Sequence, residues 1–203
     1  MNAIPEWASS SVSRETFEKL QAYAELIRKW TPKINLVAKS TLDDLEVRHL
    51  WDSVQVFEPR EGIWADLGSG GGLPGVVVAI LVQANNTNAE CALIESDQRK
   101  ATFLRTCARE LDVPISVIAK RIEEASPLHA QTISARALAP LDTLLHFAEL
   151  HLAQDGLCVF QKGAQWQKEV ADAEENWRFS YEATPSKTNS EAVVLKIKDI
   201  QRV

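Results

Sequence analysis

The sequence predicts an α/β fold: a mostly parallel sheet flanked by helices, one antiparallel strand near the C-terminal end, and a helical extension at the front. Three observations carry that expectation. Five of the eight glycines crowd into eight residues, Gly68 to Gly75, between the apolar runs Ile63-Trp64-Ala65 and Val76 to Val82. From Ile63 onward short apolar runs alternate with helical stretches, which implies parallel strands joined by right-handed crossovers. The last two apolar runs are separated only by the polar loop Thr184 to Glu191, so they form a hairpin and one strand runs against the rest.

Taken in order, residues 13–30 read as an amphipathic helix, with Phe17, Leu20, Tyr23, Ala24 and Ile27 recurring at three- and four-residue steps. Ser13 is the expected N-cap and Pro32 the expected stop. A polar connector from Lys33 to Ser40 leads to a second helix from about Thr41, where Thr41 and Asp44 resemble a capping box. Val47, Leu50, Trp51 and Val54 form its apolar stripe. Strands are expected at 63–67, 91–95, 115–119, 132–137, 156–161, 178–183 and 192–198, and helices near 74–84, 97–111, 141–152 and 164–176. Residues 1–60 thus form an N-terminal helical extension packed on the core, and residues 61–203 the α/β domain.

Composition narrows the class. A length of 203 residues, 45% of them hydrophobic and 25% charged, suits one soluble domain with a real core. The net charge of −6 argues against a protein held on nucleic acid by bulk charge, leaving room only for a local basic face. The longest apolar run is too short to cross a bilayer, and the N-terminus lacks the basic and apolar regions of a signal peptide. A cytoplasmic location away from membranes is expected. Cys91, Cys107 and Cys158 are widely spaced with no CxxC pair, so no metal site or redox dithiol is expected.

The glycine loop follows a strand and opens a helix, the place where backbone approaches a nucleotide-like ligand without a Cβ in the way. Gly70-x-Gly72-x-x-Gly75, with Glu95 twenty residues on, matches a dinucleotide fingerprint. Three features favour S-adenosylmethionine instead. Asp66 ends the first strand, where it repels a pyrophosphate and suits an amino acid's ammonium through intervening groups. Sixty-odd residues precede that strand, whereas dehydrogenases usually open with it. The chain is also too short to add a typical substrate domain after a full dinucleotide fold. Glu95 then fits as a bidentate acceptor for ribose hydroxyls. A phosphate-cradling Walker loop is excluded because no Gly-Lys-Ser/Thr closes the glycines.

Asp66-x-Gly68-Ser69-Gly70-x-Gly72-x-Pro74-Gly75, together with Arg121-Ile122-Glu123-Glu124, Ser134-Ala135-Arg136-Ala137 and Lys162-Gly163, resembles the bacterial RsmG (GidB) family. Trp30, Asn35-Leu36 and Arg48-His49-Leu50-Trp51-Asp52-Ser53 extend the likeness upstream. The resemblance implies a class I, Rossmann-like S-adenosylmethionine-dependent methyltransferase that modifies guanine N7 in 16S ribosomal RNA of the small ribosomal subunit. It also implies cofactor contacts at Gly68, Leu73, Ile122, Glu123 and Arg136, joining Asp66, Gly70 and Glu95. Arg136 is expected on the methionine carboxylate or an RNA phosphate, or else paired with a neighbouring acid. Val37 stands where the family often has threonine, and the chain ends soon after its last strand without the basic tail of some members.

Guanine N7 carries a free lone pair, so its methylation is a direct displacement that needs no general base; no catalytic side chain is expected beyond those that align the reactants. The Asn/Asp-Pro-Pro-Tyr/Phe motif used on exocyclic amines and the Pro-Cys or Thr-Cys motif of carbon-5 attack are both absent from the sequence. Lys33, Arg48, His49, Arg136 and Lys162 are the candidate RNA contacts, with Lys187 behind them. His49, Asp52 and Ser53 share a helix face, and a buried polar cluster packing the extension is the competing reading. A monomer is expected. The alternatives are a methyltransferase of the same fold acting on another RNA, a protein or a small molecule, a non-catalytic nucleotide-sensing or scaffold protein, and an NAD-dependent dehydrogenase.

Overall fold

The computed structural model describes residues 4–203; Met1 to Ala3, which open the stretch read as lacking a signal peptide, lie outside the described residues. Seven strands, β1 Gly62–Leu67, β2 Ala89–Ile94, β3 Ile115–Ile118, β4 Ala130–Arg136, β5 Leu152–Lys162, β6 Trp177–Pro185 and β7 Val193–Arg202, form one sheet in the order β3-β2-β1-β4-β5-β7-β6. β1 to β5 run parallel, and β7 runs antiparallel between β5 and β6. Winding reverses at β1, which sits between β2 and β4, so the carboxyl ends of these strands frame the crevice where such sheets bind ligands.

Period-two alternation along β1 divides the core. Trp64 joins the cluster under the N-terminal helices, while Ala65 and Leu67 join the cluster on the opposite face with Ile133, Leu145 and Phe160. The remaining helices are α1 Arg14–Ile34, α2 Asp52–Val54, α3 Gly75–Ala84, α4 Gln98–Glu110, α5 Leu141–His151 and α6 Trp166–Ala173. Every residue from Val76 to Val82 is buried, so α3 has no polar face to turn outward. α1 packs on α3 and α4 and covers it with Leu20, Tyr23, Ala24 and Ile27.

Several local expectations are corrected. Ser13 caps α1 by accepting from Thr16 N at 3.2 Å, but the helix runs past Pro32 to Ile34. Ile34 packs on the core, and Asn35, at φ 51°, ends the helix with its N–H on Thr31 O at 2.9 Å. No helix starts at Thr41. Its hydroxyl instead donates to Ala38 O at 2.7 Å, closing a 3₁₀ turn, Lys39–Thr41. A turn of π-helix, Glu46–Trp51, then precedes α2. The wider π turn shifts the apolar face, burying Leu50, Trp51 and Val54 and leaving Val47 52% exposed. β5 begins at Leu152, ahead of the expected 156, because α5 passes straight into it and Leu152 pairs with Ala130 across a bulge.

Candidate functional site

The glycine loop is held from both sides. From below, Asp66 at the end of β1 is 1% exposed and accepts Ser134 Oγ at 2.7 Å and the Gly75 N–H at 3.2 Å. Trp64 Nε1 donates to Ser134 Oγ at 2.9 Å, completing a relay from the core to the loop. The amide that opens α3, which a pyrophosphate would require, is therefore taken by a carboxylate. From above, the Tyr23 hydroxyl of α1 donates to Gly71 O, and Leu36 packs on Gly71. Burial raises the Tyr23 phenol well above its ordinary pKa, so it stays a donor. Tyr23→Phe is expected to cost about 1–2 kcal/mol, a fall of about 3–6 °C in Tm; an unchanged melting curve would show that this tie is idle.

Burial also pushes the Asp66 carboxyl from 3.8 up to about 6, outweighing the hydrogen bonds that pull it down. Between those values the native state keeps a proton that the unfolded chain has released. Stability therefore falls as pH rises through this window, by about 3 kcal/mol in all for this group. Denaturant unfolding at pH 4 and pH 7 measures it: Asp66→Asn flattens the difference by that amount, and an equal difference in the variant would refute the assignment.

Beyond the loop lies a cavity of about 370 Å³ lined by Gly68, Gly70, Glu95, Ile122, Glu123 and Ala137 to Ala139, among others. Glu95 is 8% exposed; Oε2 accepts the Gly70 N–H and Oε1 the Asp97 N–H, each at 2.7 Å. Each oxygen keeps a second lone pair for a ligand hydroxyl. A Cβ on Gly70 would meet only Gly68 O, at 3.8 Å, so the loop leaves open space there. Ile122 supplies an apolar wall, its carbonyl accepting from His151 Nε2 at 2.9 Å. These residues fit the nucleoside end of S-adenosylmethionine.

Ala137, Leu138 and Ala139 also line a second cavity, of about 480 Å³. Arg136 and Lys162 open onto it. The centre of its polar wall is Asp52, which accepts Arg136 Nη1 at 3.3 Å, Gln161 Nε2 at 2.5 Å, Gln55 Nε2 at 2.8 Å and Thr188 Oγ1 at 2.7 Å. Both Arg136 contacts, to Asp52 and to Arg48 O at 3.2 Å, use Nη1, so the rest of the guanidinium fork stays available.

The other sequence candidates are dispersed. Leu73 is buried in the core under α1 rather than in either cavity. Asp66 supports the loop from beneath and lines neither cavity. Lys33 is exposed in a recess between α1 and α4, with Lys29 and Arg109. Arg48 is exposed. His49 turns Nε2 to Thr41 Oγ1 at 2.8 Å rather than to Asp52, while Ser53 Oγ donates to the His49 carbonyl at 2.7 Å. Burial, then the charges of Arg136 and Arg48, lowers the His49 pKa to about 4, so at neutral pH it offers no positive charge to a phosphate. Lys162 pairs with Glu169 at 2.5 Å and donates to Ala139 O at 3.0 Å. Lys187 lies in another recess with Trp7 and Phe57. Sequence reasoning missed the Tyr23 tie, the Trp64–Ser134–Asp66 relay and the Glu169 partner of Lys162. Only the relay had a signal, Trp64 and Asp66 standing two apart on one strand face.

Comparisons with known proteins show the family and the fold. A ribosomal RNA small subunit methyltransferase G from Ruegeria sp. (strain TM1040) is 52% identical over 194 residues, covering 95% of each chain. One from Ruegeria pomeroyi is 50% identical over 202 residues, covering 98% of this chain and 99% of the relative. Among solved structures, a TehB-like SAM-dependent methyltransferase from Corynebacterium glutamicum shares the fold, with a TM-score of 0.55 at 15% identity, covering 89% of this chain and 98% of its own. P. horikoshii TYW2, solved in complex with MeSAdo, does so with a TM-score of 0.52 at 12% identity, covering 76% of this chain and 61% of its own. The sequence model of GidB, rRNA small subunit methyltransferase G, matches residues 16–195, and with it the seven-stranded methyltransferase sheet and its glycine loop find their place: the chain belongs to that family.

Proposed function

We propose that this protein transfers a methyl group from S-adenosylmethionine to N7 of a guanine in 16S ribosomal RNA of the small ribosomal subunit. The observation that carries the reading is the pair of cavities meeting at Ala137 to Ala139, one beside the glycine loop and the other beside Arg136 and Lys162. Membership of the family supports the choice of acceptor.

Bound S-adenosylmethionine supplies an electrophilic methyl on a sulfonium sulfur. Glu95 orients the ribose through its remaining lone pairs, and Ile122 and Glu123 frame the adenine. Arg136, steadied by Asp52, presents its open donors to the methionine carboxylate or to an RNA phosphate. The chain's own contribution is alignment: it holds the acceptor base in one of the cavities that meet at residues 137–139 and the donor in the other. Because N7 needs no deprotonation, no side chain is assigned as a general base.

Of the 1–60 extension, the described residues from 4 onward act in this reading as a helical cover that packs on α3 and braces the glycine loop, and residues 61–203 act as the catalytic domain. The protein works as a monomer in the cytoplasm, where small subunits mature. Among the described residues, no helix is long and apolar enough to cross a membrane.

Transfer of labelled methyl to small subunits lacking their native guanine-N7 methylation, followed by digestion to nucleosides, tests the proposal. Label in 7-methylguanosine is expected. Label in another nucleoside, or none despite cofactor binding, would move the acceptor to another molecule.

A further inference from the structure

The larger cavity contains two carboxylates, and they differ in what they have left to give. Asp52 is saturated by donors from Arg136, Gln161, Gln55 and Thr188. Glu169 receives both of its contacts, from Lys162 and from the Leu141 N–H at 2.9 Å, on Oε2. Its Oε1 has no protein donor among the described residues. Lys162, at 8% exposure, uses two of its three N–H groups, on Glu169 and Ala139 O. Gly163, next along the chain, has open space where a Cβ would stand. The carbonyl oxygen of Gln161 is a further acceptor there, buried without a donor. The wall therefore offers one ammonium donor beside an open carboxylate acceptor.

A guanine shows the complementary order along one edge: O6, an acceptor, then N1–H, a donor. Adenine shows the reverse, an amino donor and then a bare N1. The geometry points to Lys162 and Glu169 as the pair that selects guanine, Lys162 donating to O6 and Glu169 accepting from N1–H. An adenine in the same place would set ammonium against amino group and carboxylate against lone pair, leaving charged groups unpaired. O6 lies next to N7, so a base gripped at this edge keeps N7 near the neighbouring cavity. This inference rests on the proposed transfer to guanine.

The competing role is purely architectural, since Glu169 also caps α5 through Leu141 N and ties α6 to the end of β5. The two roles separate in a substrate cycle. Small subunits are reconstituted with guanosine or with 2-aminopurine riboside at the mapped acceptor position. The analogue keeps N7 but lacks O6 and the N1 proton. Wild type and Glu169→Gln are compared on both by kcat/KM, so the intrinsic reactivity of the two bases cancels in the ratio of ratios. Wild type is expected to prefer guanosine by about 100-fold, and E169Q to cut that preference about tenfold with unchanged cofactor affinity, at a loss in Tm because Lys162 is left without its charged partner. If E169Q is too unstable to assay, Glu169→Asp, which keeps a charge beside Lys162 but draws the carboxylate back from the base, is read in the same way. Equal slowing on both substrates would overturn the assignment and leave a brace only. Absence of 7-methylguanosine from wild type on the guanosine substrate would instead bring down the proposed function beneath it.

Discussion

Gly72→Ala is expected to lower stability by about 3–5 kcal/mol, while Gly70→Ala, two residues away, removes cofactor binding at a smaller cost of about 1–2 kcal/mol from its positive φ alone. Gly72 sits at φ +84°, and a Cβ there would meet Val76 Cγ2 at 2.4 Å, the Tyr23 hydroxyl at 2.8 Å and Leu104 Cδ2 at 3.0 Å. The added carbon displaces the tyrosine that holds Gly71, so backbone strain and overpacking fall on one spot. For a chain of this length the loss corresponds to about 10 °C or more in Tm. Gly70 also has a positive φ, +56°, but its Cβ would meet only Gly68 O at 3.8 Å. There the added carbon projects toward the space proposed for the cofactor. Thermal melting and cofactor titration of the two variants read the contrast. Equal stability losses, or retained binding in G70A, would contradict this account of the loop.

Asp52→Ala removes the common acceptor of Arg136, Gln161, Gln55 and Thr188. Removing one partner of a buried ion pair costs about 3–5 kcal/mol. Both side chains here keep 17% exposure, which places the expected loss near the lower figure. Turnover falls by a comparable free energy. Freed from Asp52, the guanidinium leaves its position at the cavity wall, and a misplacement of about 1 Å costs about 100-fold in rate. Asp52→Asn keeps the shape and one acceptor oxygen, so it should recover stability further than activity. Wild-type kcat/KM in D52A would show that Arg136 does not depend on this partner.

The strands and the glycine loop were readable because a parallel sheet buried on both faces demands apolar runs, and these runs stand apart between turns. The carboxyl-edge placement of Glu95 and Lys162 followed from strand ends, whereas Ile122 and Arg136 were singled out by the family resemblance. The connector between α1 and β1 was not readable. A π turn at Glu46–Trp51 leaves no periodicity of its own, and Thr41 spends its hydroxyl on Ala38 and His49 instead of capping a helix. Pro32 misled because its local cost is offset by burial of Ile34 beyond it. Tyr23 looked like one more apolar position on α1; its hydroxyl gained meaning only when folding placed it 48 residues along the chain, at Gly71. The Lys162–Glu169 pair was hidden for the same reason, since the end of β5 and α6 meet only through tertiary packing.

The most direct test of the two-cavity account is a structure of this protein with S-adenosylhomocysteine bound. The account predicts ribose hydroxyls within hydrogen-bond distance of Glu95, adenine against Ile122, and the sulfur beside Ala137 to Ala139, facing the cavity that holds Arg136 and Lys162. A ligand seated in that larger cavity, or a sulfur turned away from the shared wall, would contradict it.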